Sequence, residues 1–192
     1  MRPKSHISRR FFLASTGAAL ALPGAARASR QAARNALAAG EAVVYFRHGA
    51  TTWSGVDSID WPRARQRLLS DFGIAQSERI GAAFRAQGFP VGEVLASPFA
   101  RCRDMAEIAF GRVVEHMALI GLLSDAEGRE ARVDFLRGLM ARPTAGGNRI
   151  IVSHRSNIAQ VAGVTLEEGE AVVLRPTGAG FDVLATFMPQ DW

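Results

Sequence analysis

The chain has 192 residues, a formal charge of +5, one cysteine (Cys102) and one lysine (Lys4). That length allows one domain with a sizeable core. A lone cysteine excludes an internal disulfide and a cysteine-based metal site, though not export. The charge is local: residues 1–28 hold Arg2, Lys4, Arg9, Arg10 and Arg27 and no acidic residue, leaving 18 basic against 18 acidic side chains in the remainder. A neutral remainder without a Lys/Arg run argues against sequence-blind nucleic-acid binding.

In chain order, the first segment is an address. Basic residues precede an apolar run from Phe11 to Leu22 and the small-x-small triplet Ala26-Arg27-Ala28, the pattern of a signal peptide cleaved before Ser29. The run is too short to span a bilayer, so no stable membrane span is expected in the mature form. Ser8-Arg9-Arg10-Phe11-Phe12-Leu13 resembles a twin-arginine signal, which exports folded proteins; the alternatives are a general secretory signal or an uncleaved anchor. The expectation is an exported, periplasmic protein with a signal peptide over 1–28, a short tether or loose helix over 29–40, and one domain over 41–192.

Within that domain, strands are predicted at Ala42–Phe46, Glu93–Ala96, Val113–His116, Arg149–Ser153, Ala171–Leu174 and Phe181–Phe187. The last two are joined by a hairpin turn over Pro176–Gly180. Helices are predicted at Arg63–Ser70, Ile74–Gln87, Pro98–Phe110, Arg129–Ala141 and Ser156–Ala162, with Gly73 separating the first two. Strands alternating with helices imply an α/β fold whose mainly parallel sheet is covered on both faces. In such a sheet, ligands bind beyond the carboxyl ends of the strands.

Three motifs fall on that edge. Val43-Val44-Tyr45-Phe46 runs into Arg47-His48-Gly49-Ala50-Thr51, where glycine permits a sharp turn and a close ligand. Leu95-Ala96-Ser97-Pro98-Phe99-Ala100-Arg101 carries a strand into a helix whose first turn presents Arg101. A helix N-terminus with an arginine fork suits phosphate oxygens. Ile150-Ile151-Val152-Ser153-His154 ends another apolar strand in a histidine, with Ser153 or Ser156 available to cap the next helix. After residue 28 the histidines are His48, His116 and His154, and two of these three follow buried strands. His116 has no such context and is expected to be structural or exposed.

These motifs resemble the histidine phosphatase superfamily, also called phosphoglycerate-mutase-like, from about Val43 to Asn157. The resemblance implies a three-layer α/β/α sandwich and a metal-independent phosphatase acting on a small phosphorylated substrate. His48 would attack phosphorus and become phosphohistidine, Arg47 and Arg101 would clamp the oxygens, His154 would donate to the developing charge, and Thr51 would join the binding set. No metal or cofactor is implied.

Members that cleave ordinary esters add a carboxylic acid to protonate the leaving group. Here Asp125 is the first candidate, with Glu127, Glu168 and Glu170 competing. Without such an acid, substrates with good leaving groups would be preferred. No long insertion between Arg101 and His154 is present to build a cap for a mutase pocket. The alternatives are a non-catalytic phosphate-binding pseudo-enzyme and a phosphomutase. Trp53, Trp61 and Arg63 either line the pocket mouth or, for the tryptophans, pack structurally.

Overall fold

A computed structural model describes residues 23–123 and 127–192. Among them the helices and strands follow in the order α1 (Pro23–Ala39), β1 (Val43–Arg47), α2 (Asp71–Ala86), β2 (Val91–Ala96), α3 (Ala100–Phe110), β3 (Val114–Glu115), α4 (Arg129–Ala141), β4 (Asn148–Ser153), α5 (Arg155–Ala162), β5 (Ala171–Pro176) and β6 (Phe181–Phe187). One six-stranded sheet has the order β3-β2-β4-β1-β5-β6. The first four strands are parallel, and β5 and β6 join antiparallel. The α/β sandwich with a mainly parallel sheet is therefore the observed architecture.

Strand alternation divides the core. Val44 and Phe46 of β1, Ile150 and Val152 of β4, and Ala171 and Val173 of β5 face a cluster shared with Leu37 of α1, Ile80 and Phe84 of α2, and Met105 of α3. Val43, Tyr45, Ile151, Val172 and Leu174 face the other cluster, with Leu136 and Met140 of α4 and Ile158 of α5.

Two expectations are corrected. The leader reaches into α1, and its residues 1–22 lie outside the described residues. The segment 29–40, expected as a short tether or loose helix, is helix as far as Ala39 and is packed rather than loose. Ala33, Ala36 and Leu37, at helical spacing, are buried in the first cluster. Arg30 pairs with Asp191 at 3.1 Å, and Arg34 donates to the Asp191 carbonyl at 2.7 Å. Asn148 locks the helix end, donating to the Leu37 carbonyl at 2.8 Å and accepting from the Ala42 amide at 3.0 Å. Alanine-rich composition hides this face, because small side chains bring the helix close without a conspicuous apolar run.

The second correction concerns 63–73. Only Arg63–Arg65 form a single 3-10 turn, and α2 starts at Asp71, capped by the Ser70 hydroxyl accepting from the Gly73 amide. Gly73 lies inside α2 and does not separate helices. A Cβ there would sit 2.1 Å from the Ala50 carbonyl oxygen. A Cβ on Gly49 would meet the Gly73 carbonyl oxygen at 3.0 Å, so that glycine admits a helix rather than a ligand.

Candidate active site

Register explains why the two histidines meet. β1 and β4 run parallel with Arg47 opposite Ser153, so His48 and His154 leave adjacent strand ends at the same level. The pairing continues one step further, with the His48 amide donating to the Ser153 carbonyl at 3.0 Å. Their ring centroids are 5.7 Å apart. β2 ends beside them, its Ser97 amide bonding the Val152 carbonyl at 3.0 Å. Tyr45, the only tyrosine, donates to the His154 carbonyl at 2.7 Å and accepts from the His154 amide at 3.1 Å. One buried hydroxyl thus fixes the backbone of the second histidine.

Proton positions follow from these partners. His48 is 4% exposed, and its Nδ1 lies 2.9 Å from the Gly49 carbonyl. A carbonyl only accepts, so Nδ1 carries the proton and Nε2 keeps its lone pair. Burial, followed by the charge of Arg101, pushes the His48 pKa down to about 3, so the ring is neutral at physiological pH. In His154, Arg101 Nη2 approaches Nδ1 at 3.5 Å and Nε2 lies 2.9 Å from Ser97 Oγ. Arginine only donates, which places the His154 proton on Nε2. Burial, then Arg101 and His48, holds its pKa well below the ordinary value.

Arg101 is 3% exposed and does not wave freely. Its Nη1 donates to both carboxylate oxygens of Asp57, at 3.0 and 2.8 Å, and its guanidinium carbon lies 4.5 Å from the Phe99 ring centroid. Asp57, 4% exposed, also accepts from the Arg67 amide at 2.9 Å. Arg47 donates to the Leu166 carbonyl at 3.0 Å and lies 3.3 Å from Glu168. Burial lowers its pKa, partly offset by Glu168 and Glu167, with Arg155 adding to the lowering. The Nε–H groups of Arg47 and Arg101 are buried without a partner.

These groups line a cleft of about 430 Å³ bordered by Arg47, His48, Gly55, Val56, Asp57, Arg67, Arg101, Gly121, Leu123, His154, Arg155, Ser156 and Ala159. Four of the predicted residues, Arg47, His48, Arg101 and His154, come together here. Thr51 does not line the cleft. Its hydroxyl donates to the Trp53 carbonyl and accepts from Arg67 Nη2 at 2.7 Å, a loop fastening. Asp125 lies outside the described residues. Of the competing carboxylates, Glu168 reaches Arg47 and Arg67, whereas Glu170 caps the Glu167 amide at 2.8 Å.

Trp53, Trp61 and Arg63 are also absent from the lining. Trp53 and Trp61 lie beneath Arg67 and Arg65, and Arg63 forms a two-pronged pair with Asp104 at 2.8 and 2.7 Å. Neither serine caps α5: Ser153 Oγ donates to the Leu119 carbonyl, and Ser156 Oγ accepts from the Leu122 amide. His116 stands apart, stacked on Phe135 at 4.1 Å. Asp57, Arg67, Arg155 and Tyr45 carried no signal beyond residue type. Asp57 and Arg67 bracket a stretch expected only to lie near the site. Among the described residues, no group of three or more His, Cys, Asp or Glu is placed to hold a metal ion, and no helix is long and apolar enough to cross a membrane.

The pattern described as "Histidine phosphatase superfamily (branch 1)" matches residues 43–123. No curated protein sequence matches the chain. Among solved structures, the protein histidine phosphatase SixA complexed with tungstate is 15% identical, covers 78% of this chain and 97% of its own, and gives a TM-score of 0.57. A histidine-to-alanine mutant of phosphoserine phosphatase from Entamoeba histolytica, in complex with phosphoserine, is 13% identical, with coverage of 78% and 98% and a TM-score of 0.56. TTHB049 from Thermus thermophilus is 20% identical, with coverage of 75% and 99% and a TM-score of 0.53. At these identities the structural likeness concerns the fold. The family pattern matched over residues 43–123 and the shared fold both agree with the resemblance read from the motifs.

Proposed function

We propose that this chain is a metal-independent phosphatase that hydrolyses a small phosphorylated compound through phosphohistidine. The observation that carries the reading is the geometry of His48: its Nδ1 is turned to the Gly49 carbonyl, which leaves Nε2 for the cleft that Arg47, Arg67 and Arg101 also line. Nε2 attacks phosphorus, the P–O bond to the organic group breaks, and the phosphoryl group rests on Nε2. Water then attacks that phosphorus, and the P–N bond breaks to release phosphate and restore His48. Arg47 and Arg101 offer the buried Nε–H donors that lack acceptors, which phosphoryl oxygens would satisfy. The SixA structure holds tungstate, an oxyanion, and the Entamoeba histolytica structure holds phosphoserine, which supports an oxyanion occupant here.

His154 needs a second proton before Nδ1 can donate. A phosphoryl dianion opposes the field of Arg101, so its arrival favours imidazolium. The leaving group also needs a proton. Asp125, two residues beyond the cleft-lining Leu123, is our proposed donor. Export through the twin-arginine route, read from Arg9-Arg10 and the apolar run after them, is likewise our proposal, and it would place the activity in the periplasm.

The test is p-nitrophenyl phosphate hydrolysis in EDTA by residues 23–192, beside His48→Ala. Metal-independent turnover lost in the variant supports the proposal. Equal turnover in both, or phosphate binding without turnover, overturns it and favours a non-catalytic phosphate-binding domain.

A further inference from the structure

The charges in the cleft are unevenly matched. Arg101 is paired with Asp57, and Arg47 and Arg67 share Glu168. Arg155 lines the same cleft from the first position of α5 and is exposed, and among the described residues no carboxylate pairs with it. It stands on the strand-to-helix junction that also carries His154, so a ligand on Arg155 lies beside the reacting centre.

The cleft is also larger than its reaction requires. A phosphoryl group of about five heavy atoms, at roughly the 30 Å³ a water occupies in the liquid, fills about a third of the volume. Part of the remaining wall is apolar: Val56 is 74% exposed and Leu123 is 80% exposed, and both border the opening with Ala159. Large apolar side chains held in water around an otherwise cationic cleft mark a surface that a ligand covers. The loop carrying Leu123 is anchored, since the Leu122 amide donates to Asn157 Oδ1 at 3.2 Å and Asn157 Nδ2 donates to the Ile120 carbonyl at 2.9 Å.

We propose that the substrate is an amphipathic phosphomonoester whose organic part lies against Val56 and Leu123 and carries a second anionic group met by Arg155. This rests on the phosphatase reading above. A carboxylate and a second phosphoryl-type group share the chemistry Arg155 recognises, since both accept from a guanidinium fork.

The test uses phenyl phosphate bearing carboxymethyl, phosphonomethyl or neutral carbamoylmethyl at the para position, which keeps the leaving phenols closely similar. The proposal expects at least one anionic compound to exceed the amide about tenfold in kcat/KM, the worth of one charge-assisted contact. That ratio falls toward one in Arg155→Ala, is partly retained in Arg155→Lys, and shrinks with added salt. Which anion gains more identifies the group. Equal kcat/KM for all three compounds in the wild type overturns this proposal and leaves the phosphatase reading standing. An anionic preference that survives Arg155→Ala overturns the assignment to Arg155. No turnover of any compound, p-nitrophenyl phosphate included, overturns the phosphatase reading itself.

Discussion

His48 and His154, on the floor of the cleft, are placed by main-chain pairing, whereas Asp57 and Arg67, which line its rim, are placed by side-chain bonds that run outward to Glu168. The floor residues leave the ends of β1 and β4, whose register puts Arg47 opposite Ser153, and their rings are held by the Gly49 carbonyl and Ser97. The rim is a chain of side-chain bonds: Asp57 to Arg101, Arg67 to Thr51 and Glu168, Glu168 to Arg47. A floor made by sheet register can keep its geometry while rim residues change.

Perturbing each region tests this division. The largest effect is expected on the floor: His48→Ala removes the proposed nucleophile and should cost about 5 kcal/mol of barrier or more, several thousandfold in kcat, in a steady-state assay with the fold verified by circular dichroism. Next is the one rim pair that is buried. Arg101→Ala leaves Asp57 as an uncompensated buried charge and should lower unfolding free energy by about 3–5 kcal/mol in urea. A small loss would show that water enters the rim readily.

Acid should act through the floor. His48 is held near 3 when folded but returns to about 6.5 when unfolded. Between those values the unfolded chain binds more protons, so stability is full above about pH 6.5 and falls as pH drops. His154 shifts in the same direction. Each such histidine contributes a slope approaching about 1.4 kcal/mol per pH unit in that window. Urea midpoints between about pH 7 and pH 5 measure it, and His48→Gln should flatten the slope.

The smallest stability effect belongs to Glu168→Gln. Its pairs with Arg47 and Arg67 are partly exposed and are worth below about 1 kcal/mol. The substitution should nevertheless tighten inorganic phosphate binding, measured calorimetrically, because a competing carboxylate charge leaves the clamp.

The same division explains what is legible in the sequence. Apolar runs ending in Arg47-His48-Gly49 and in Ser153-His154 announce strands that deliver side chains to a sheet edge, and the parallel order of the sheet follows from helix alternation. The rim is opaque. Nothing local to Asp57 shows that it will meet Arg101, 44 positions away, and Arg67 sits in a stretch whose pattern suggests a helix. Thr51 follows the nucleophile motif and resembles a ligand group, but Arg67 claims its hydroxyl. At the N-terminus, the spacing of Ala33, Ala36 and Leu37 is there to be read, yet alanines bury without announcing a core.

The central claim is that phosphate passes through Nε2 of His48. Rapid quench of the enzyme with radiolabelled p-nitrophenyl phosphate, followed by mapping of the labelled peptide, tests it most directly. The expected result is an acid-labile, alkali-stable label on the peptide containing His48, formed and lost at rates that support turnover. Turnover with no label on that peptide at any time, while product accumulates, would contradict it.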